Sequence, residues 1–278
     1  MSSTLPIREI AQLLPSTPLV DPIAVAGGCI HDSWHWGPYF IKTNTDSELG
    51  TLQSEATCLQ AIAASGAIRV PEFIALGTAG STSFLALEHL HLVPLGNESL
   101  LGEQLAELHA QTADNFGFPT DNHIGTTRQE NAWHESWSTF FRDRRISPLL
   151  ELLRAKEIVF PKSQSLLDRL DDLLPPVPKP ALLHGDLWAG NKAFLTDGTP
   201  VVFDPACYYG HHICDLAMTR LFGGFGARFY DAYRSCSEIG DASLHEIYNL
   251  YHILNHALLF GGGYIGQADE LIRRFAKA

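Results

Sequence analysis

The chain has 278 residues, 45% hydrophobic and 18% charged, which fits a globular protein of one large domain or two lobes and argues against a disordered one. Its formal net charge of −12, without clustered Lys or Arg, argues against a nucleic-acid partner. Nucleotides stay open, because a divalent metal can sit between carboxylates and phosphates.

The start, MSSTLPIREI, lacks the basic-then-apolar order of a signal peptide, and no run approaches the length of a membrane span. The five cysteines (29, 58, 207, 214 and 236) are irregularly spaced with no C-x-x-C, so reduced thiols in a cytoplasm are expected. The first part reads as β-rich. DPIAVAGG and PYFIKTN alternate or carry β-branched residues, and the short CIHDSWHWG segment connects them. A helix follows from about Asp46 to Ser65, with Leu52, Leu59 and Ile62 on one face and Gly66 as its stop. Glu55 lies on that same face and needs a cation there. VPEFIALG and STSFLALEHL read as two more strands.

After about Leu92 the pattern turns helical. Leu101, Leu105 and Leu108 in LLGEQLAELHA have helical spacing, and further helices fit WSTFFRDRR, SQSLLDRLDDLL, FYDAYRS and LHEIYNLYHILNHALLF. TPVVFDPA reads as a short strand ending in an acid. The expected fold class is α+β and two-lobed: residues 1–87 form a small β-rich lobe with one key helix, 88–92 a hinge, and 93–278 a larger helical lobe. Pockets tend to form between two such units.

The stretch LLHGDLWAGN, residues 182–191, places His184, Asp186 and Asn191 in an otherwise apolar run, where polar groups are costly unless paired or used. Asp186 and Asn191 are five apart, and Asp204 follows Asn191 by thirteen at the end of a hydrophobic strand. Protein kinases have the same five-residue spacing in H-R-D-x-x-x-x-N, followed by a metal-binding Asp at a strand end. Phosphoryl transfer needs an oxygen base near the acceptor hydroxyl and oxygen ligands for Mg²⁺ on the nucleotide phosphates. Asp186 is then the catalytic base, and Asn191 and Asp204 the metal ligands. Lys42, ending the strand YFIK, is the natural partner for Glu55 and would position phosphates. The turn with Gly27 and Gly28 could cover phosphates with backbone amides, although it lacks the G-K-[ST] of a Walker A loop and could be a plain hairpin turn. Backbone groups of Glu88, His89 and Leu90 would meet an adenine edge.

These residues resemble the fructosamine kinase (ketosamine-3-kinase) family, within the aminoglycoside-phosphotransferase and protein-kinase-like superfamily. The resemblance rests on GGCI (27–30), FIK (40–42), LLHGDLWAGN (182–191), VVFDPACYYGH (201–211), DLAMTRLFGGF (215–225) and LYHILNHALLFGGGY (250–264), and runs over nearly the whole chain. It implies ATP- and Mg²⁺-dependent phosphorylation of the sugar 3-hydroxyl of a ketosamine, a product of amine glycation. Matched residue by residue, it implies Asp186 as base, Asn191 and Asp204 as metal ligands, and Lys42 with Glu55 as the ion pair. Trp188 is a candidate platform for the sugar. The chain departs from the family at HHICDLAM, where an arginine and a glutamate more often stand in place of His212 and Ile213.

Plainer readings stand beside these. Asp186 could cap a loop, and Lys42 with Glu55 could be a surface pair. His184 is expected to hold the catalytic loop, and Asp215 to tie the loop's backbone. His211, His212 and Cys214 resemble zinc ligands by composition, but adjacent residues seldom converge on one ion and no second cluster is evident. Cys29, following the Gly27–Gly28 turn, is a candidate redox site whose oxidation could link two chains by a disulfide; the plainer reading is a small buried residue filling space under the sheet. The expected partner is a small ketosamine or a glycated amine or protein, with no nucleic acid and no membrane, and the chain acts as a monomer or a redox-linked dimer. The rival functions are a kinase for another hydroxylated amine, such as an aminoglycoside or choline, and an inactive kinase fold serving as an interaction module.

Overall fold

The computed structural model describes residues 5–25 and 31–277. The turn glycines Gly27 and Gly28 and the candidate redox residue Cys29 lie outside them. A short helix α1 (Ile7–Ala11) precedes strands β1 (Ile23–Val25), β2 (Asp32–Trp36) and β3 (Tyr39–Thr45). Helix α2 (Leu49–Ser65) follows, then β4 (Phe73–Ala79) and β5 (Thr82–Glu88). The five strands form one antiparallel sheet in the order β1-β2-β3-β5-β4.

The segment expected only to connect two strands contains β2. Its sequence DSWHW carries aromatic residues on alternate positions, which suits a pleated surface better than its polar residues suggest. It pairs with β3 through Trp36 opposite Tyr39, across a tight turn at Gly37, whose φ of 59° favours glycine.

Period-two alternation gives the sheet two buried faces. Phe84 and Ala86 of β5 face one way and pack with Trp36, Tyr39 and Ile41 under α1, whose Ile10 is fully buried. Leu85 and Leu87 face the other way and join Leu52, Leu59 and Ile62 of α2 in the main core. Helix α2 begins three residues later than its expected start, after a 3₁₀ turn at Asp46–Glu48. It ends as expected at Gly66, whose left-handed φ of 67° closes the last turn.

The rest of the chain is mainly helical. Helix α3 (Glu98–His109) is capped by Asn97, whose side chain accepts from Leu100 N–H. A hairpin of β6 (Asn122–Ile124) and β7 (Thr127–Gln129) leads to α4 (Trp137–Phe141), which passes through a π-turn at Arg142–Ile146 into α5 (Ser147–Ala155). The expected helix at SQSLLDRLDDLL is divided into α6 (Ser163–Leu167) and α7 (Leu170–Leu173). Four short strands then pair in twos: β8 (Ala181–Leu183) with β11 (Tyr208–Gly210), and β9 (Lys192–Phe194) with β10 (Pro200–Val202). Helices α8 (Ile213–Leu221), α9 (Ala227–Cys236), α10 (Ala242–Phe260) and α11 (Gly263–Lys277) complete the chain. The 250–260 stripe lies in α10, and Leu250, Leu254 and Ala257 are buried in the main core. Among the described residues, no helix is long and apolar enough to cross a membrane.

Candidate active site

The pair β8–β11 sets the site's frame. β8 is buried throughout and β11 at Tyr208 and Gly210, and each strand adjoins a loop of the cleft. After β8 the backbone turns sharply at Gly185, with φ of 84°; a Cβ there would meet Ala206 O at 2.1 Å, so only glycine lets the two loops touch. Asp215, in the first turn of α8, fastens this loop. It accepts from His184 N–H at 2.7 Å, from Gly185 N–H at 2.9 Å and from His109 Nε2 at 3.1 Å. Burial raises the Asp215 pKa, but the His109 hydrogen bond, the neighbouring histidines and Gly185 N–H outweigh it, so the net shift is downward.

His184 is fully buried and its pKa is lowered by that burial, which keeps the ring neutral. Its Nδ1 accepts from Asp186 N–H at 3.3 Å and its Nε2 donates to Phe203 O at 3.0 Å. One donor and one acceptor use both ring nitrogens, so this histidine splints the two loops together.

Asp186 projects from the loop so held. Asn191 Nδ2 donates to Asp186 O at 2.8 Å and to Asp186 Oδ2 at 3.2 Å. That commits the amide nitrogen and leaves the Asn191 carbonyl oxygen as the atom available to a cation. Burial, and then the charge of Asp204, pushes the Asp186 carboxyl up to about 7.

Asp204 ends the segment after β10 with φ of 57°, a left-handed conformation rare outside glycine but tolerated by Asp. Lys42 Nζ donates to Asp204 Oδ1 and, at 2.7 Å, to Glu55 Oε1. Burial pulls the Lys42 pKa down, but these two carboxylates outweigh it and the net shift is upward. Burial raises the Asp204 pKa and Lys42 overrides it, so Asp204 stays ionised. Glu55 shifts upward, because burial exceeds the attraction of Lys42. The plain surface-pair reading of Lys42 and Glu55 does not hold: the side chains are 9% and 11% exposed.

These groups face one cleft of about 590 Å³ between the sheet and the helical part. Lys42, Glu55, Glu88, His89, Leu90, Asp186, Trp188, Asn191 and Asp204 all line it. The backbone amides of Glu88, His89 and Leu90 are not equivalent. Glu88 N–H is used by Glu72 O at 2.9 Å and His89 N–H by Pro38 O at 2.8 Å. Leu90 N–H makes no hydrogen bond among the described residues. The Glu88 side chain is turned away, bonded to Arg69 and to Glu72 N–H. Trp188 is 38% exposed and stands edge-on to Phe222, with ring centroids 6.3 Å apart. A Cβ on Gly190 would lie 2.3 Å from the Trp188 ring, so that glycine makes room for the indole.

The structure adds residues that sequence reasoning missed. His31 lines the cleft, with Nδ1 3.1 Å from Asn44 Nδ2, and burial followed by Lys42 lowers its pKa to about 4. His123 reaches the cleft from β6, with Nδ1 3.2 Å from Ser54 Oγ on α2. The available signal for His31 was its place beside β2, in the segment taken for a connection.

Comparison with known proteins places the chain in a family. A sequence model of the family described as fructosamine kinase matches residues 7–278. The chain is 42% identical to a "probable ketoamine kinase" of Synechocystis, over 99% of this chain and 98% of that protein. It is 37% identical to a chloroplastic "protein-ribulosamine 3-kinase" of Arabidopsis thaliana, over 96% of this chain and 86% of that one. A crystal structure of a candidate fructosamine-3-kinase from Haemophilus somnus superposes with a TM-score of 0.88 at 27% identity, over 96% and 95% of the two chains. The aminoglycoside phosphotransferase APH(4)-Ia, at 16% identity, TM-score 0.62 and 93% and 96% coverage, shares the protein-kinase-like fold. The chain therefore belongs to the fructosamine kinase family and is an ATP-dependent phosphotransferase.

Proposed function

We propose that this protein transfers the γ-phosphoryl group of ATP to the sugar 3-hydroxyl of ketosamines, a deglycation-repair activity. The observation that carries this reading is the contact of Lys42 with Asp204, 162 residues apart, beside Asp186 in one cleft. Relatives named for ketoamines and for ribulosamine 3-phosphorylation support the acceptor class.

Residues 1–87 serve as the nucleotide-binding lobe, 88–92 as the hinge and 93–278 as the catalytic and substrate lobe. Leu90 N–H, without another partner among the described residues, is the donor for the adenine edge. Lys42, held by Glu55, supplies positive charge for the α- and β-phosphates. Asp204 and the Asn191 carbonyl oxygen are hard oxygen donors, the set that suits Mg²⁺. When bound, Mg²⁺ neutralises phosphate charge during transfer. Asp186 receives the proton of the acceptor hydroxyl, or orients that hydroxyl for attack. Trp188 offers an aromatic face to the C–H surface of the sugar. The test incubates the protein with ATP, Mg²⁺ and a panel of synthetic fructosamine, ribulosamine, aminoglycosides and choline. Mass spectrometry reads the added phosphate and NMR its position. Phosphate at the 3-hydroxyl of ketosamines is expected; phosphate only on aminoglycosides or choline overturns the reading.

A further inference from the structure

A second cluster of polar side chains lies away from the cleft, where β11 runs into α8. His211, His212 and Glu238 each offer one ligand atom, and the three atoms lie within 4.8 Å of one another. None of the three residues lines the cleft. The sequence supplies the two histidines side by side, and neighbours on a strand would point apart. Here the strand has ended at Gly210 and His212 already has helical φ and ψ as the N-cap of α8. The two rings therefore meet edge to face, with centroids 4.8 Å apart at 86°. Glu238, from the segment between α9 and α10, closes the third side.

Among the described residues, each side chain keeps a ligand atom without a partner. His211 is 3% exposed, and its Nδ1 lies 2.7 Å from the Tyr248 hydroxyl, which fixes the ring and leaves Nε2 unbonded. His212 Nε2 lies 3.2 Å from the Glu238 carbonyl oxygen, which ties the ring to the same segment and leaves Nδ1 unbonded. The Glu238 carboxylate makes no hydrogen bond or ion pair among the described residues.

We propose that His211, His212 and Glu238 form a Zn²⁺ site, completed by water, that clamps the turn into α8 to the segment before α10. Two imidazoles and one carboxylate are a ligand set for Zn²⁺ rather than for Mg²⁺ or Ca²⁺, which take oxygen ligands. Ligand atoms at about 2.1 Å from a tetrahedral ion sit roughly 3.4 Å apart, so the cluster must close slightly. The exposed Glu238 side chain can supply its share of that movement. The Tyr248 oxygen accepts from Trp137 Nε1 at 2.9 Å and, with a metal on His211 Nε2, would accept from His211 Nδ1–H with its second lone pair, holding that ring as the outer partner of a metal-bound histidine does. The clamp would act on the frame of the active site, since β11 pairs with β8 and α8 carries Asp215, which fastens the catalytic loop.

The test dialyses chelator-treated, tag-free protein against micromolar ZnCl₂ and measures bound metal, with CoCl₂ as the spectroscopic probe. One equivalent per chain is expected, with the visible absorption of four-coordinate Co²⁺ and a higher melting temperature. Glu238→Gln, at an exposed position, and His212→Gln should each weaken uptake by at least tenfold while melting as wild type does without metal. Tyr248→Phe should weaken it by about tenfold. Failure to take up one equivalent, or uptake unchanged in either Glu238→Gln or His212→Gln, overturns the site. These readouts do not involve phosphoryl transfer and are independent of the acceptor substrate.

Discussion

The loop carrying Asp186 and the loop carrying Asp204 face the same cleft, but they hold their carboxylates in opposite states. Asp204 has the Lys42 ammonium against it and stays ionised below the usual carboxylate range. Asp186 has no cation in contact among the described residues; its partners are an amide nitrogen and burial, and its carboxyl rises to about 7. One chain thus makes a permanent anion, suited to a metal, and a carboxylate poised near neutrality, suited to a proton. Environments that push two carboxylates apart in pKa assign them different roles. The difference arises in the connections: Asp204 meets a strand of the sheet, whereas Asp186 is ringed by its own loop.

The largest test removes the proposed proton acceptor. Asp186→Asn should lower kcat by about 10³-fold, within the range of general-base loss, and leave ATP affinity within about twofold. Stability should move the other way. A folded carboxyl with a raised pKa binds more protons than the unfolded chain between its normal value and about 7, so stability falls as pH rises through that window. The variant should therefore melt higher than wild type at pH 8 and equally at pH 4. Near-normal turnover in Asp186→Asn breaks the assignment.

Asp204→Ala comes next. It should abolish the Mg²⁺ dependence of nucleotide binding measured by calorimetry, together with turnover. Its charge is also the second cause of the raised Asp186 carboxyl, so titration of Asp186 by NMR should move to lower pH. An unchanged Mg²⁺ response removes Asp204 from the metal site.

Much of this contrast is readable from sequence, and the unreadable part has a physical reason. Asp186, Asn191 and Asp204 lie close in the chain at a spacing tied to chemistry, and the pairing of Lys42 with Glu55 follows from helix phase. Lys42 nevertheless stands in the middle of β3 and not at the strand end expected for it, because pairing with β5 continues to Thr45. The side-chain fastenings are not legible. Asp215 reaches back to His184 and Gly185, while His109 comes from 106 residues away, and no local pattern encodes such a meeting. Strand β2 was hidden because Asp, Ser and His are poor strand formers, although Trp34 and Trp36 mark its alternation. Helix α1 is too short for periodicity to reveal, yet its Ile10 helps to close the outer face of the sheet. Which amide of residues 88–90 lacks a partner among the described residues depends on Glu72 and Pro38, which lie outside that segment, so it is not legible locally.

Lys42→Met should cost less than either aspartate, on the order of 10²-fold in kcat, the loss typical of one electrostatic donor. It leaves Glu55 buried without its ammonium. Glu55 would then rise further and take up a proton, so the variant should lose melting temperature as pH increases, more steeply than wild type. A large fall in melting temperature with normal activity per folded molecule would make the pair structural.

The smallest expected effect lies at Trp188, on the Asp186 loop but outside its proton chemistry. The indole is partly exposed, lines the cleft and is braced edge-on by Phe222. A sugar stacked there gains binding before and during transfer alike, so Trp188→Ala should raise KM for the ketosamine by about tenfold with little change in kcat. KM for ATP should stay as it is, because in the proposed assignment Lys42 and residues 88–92 hold the nucleotide. Gly190→Ala offers an independent route to the same result. Its new Cβ would fall 2.3 Å from the indole and must push the ring aside, while leaving every proposed charged group in place. If both variants raise the ketosamine KM alone, the platform belongs to the sugar. If either lowers kcat as far as Lys42→Met does, Trp188 instead shapes the Asp186 loop, and the separation drawn between the two parts of that loop fails.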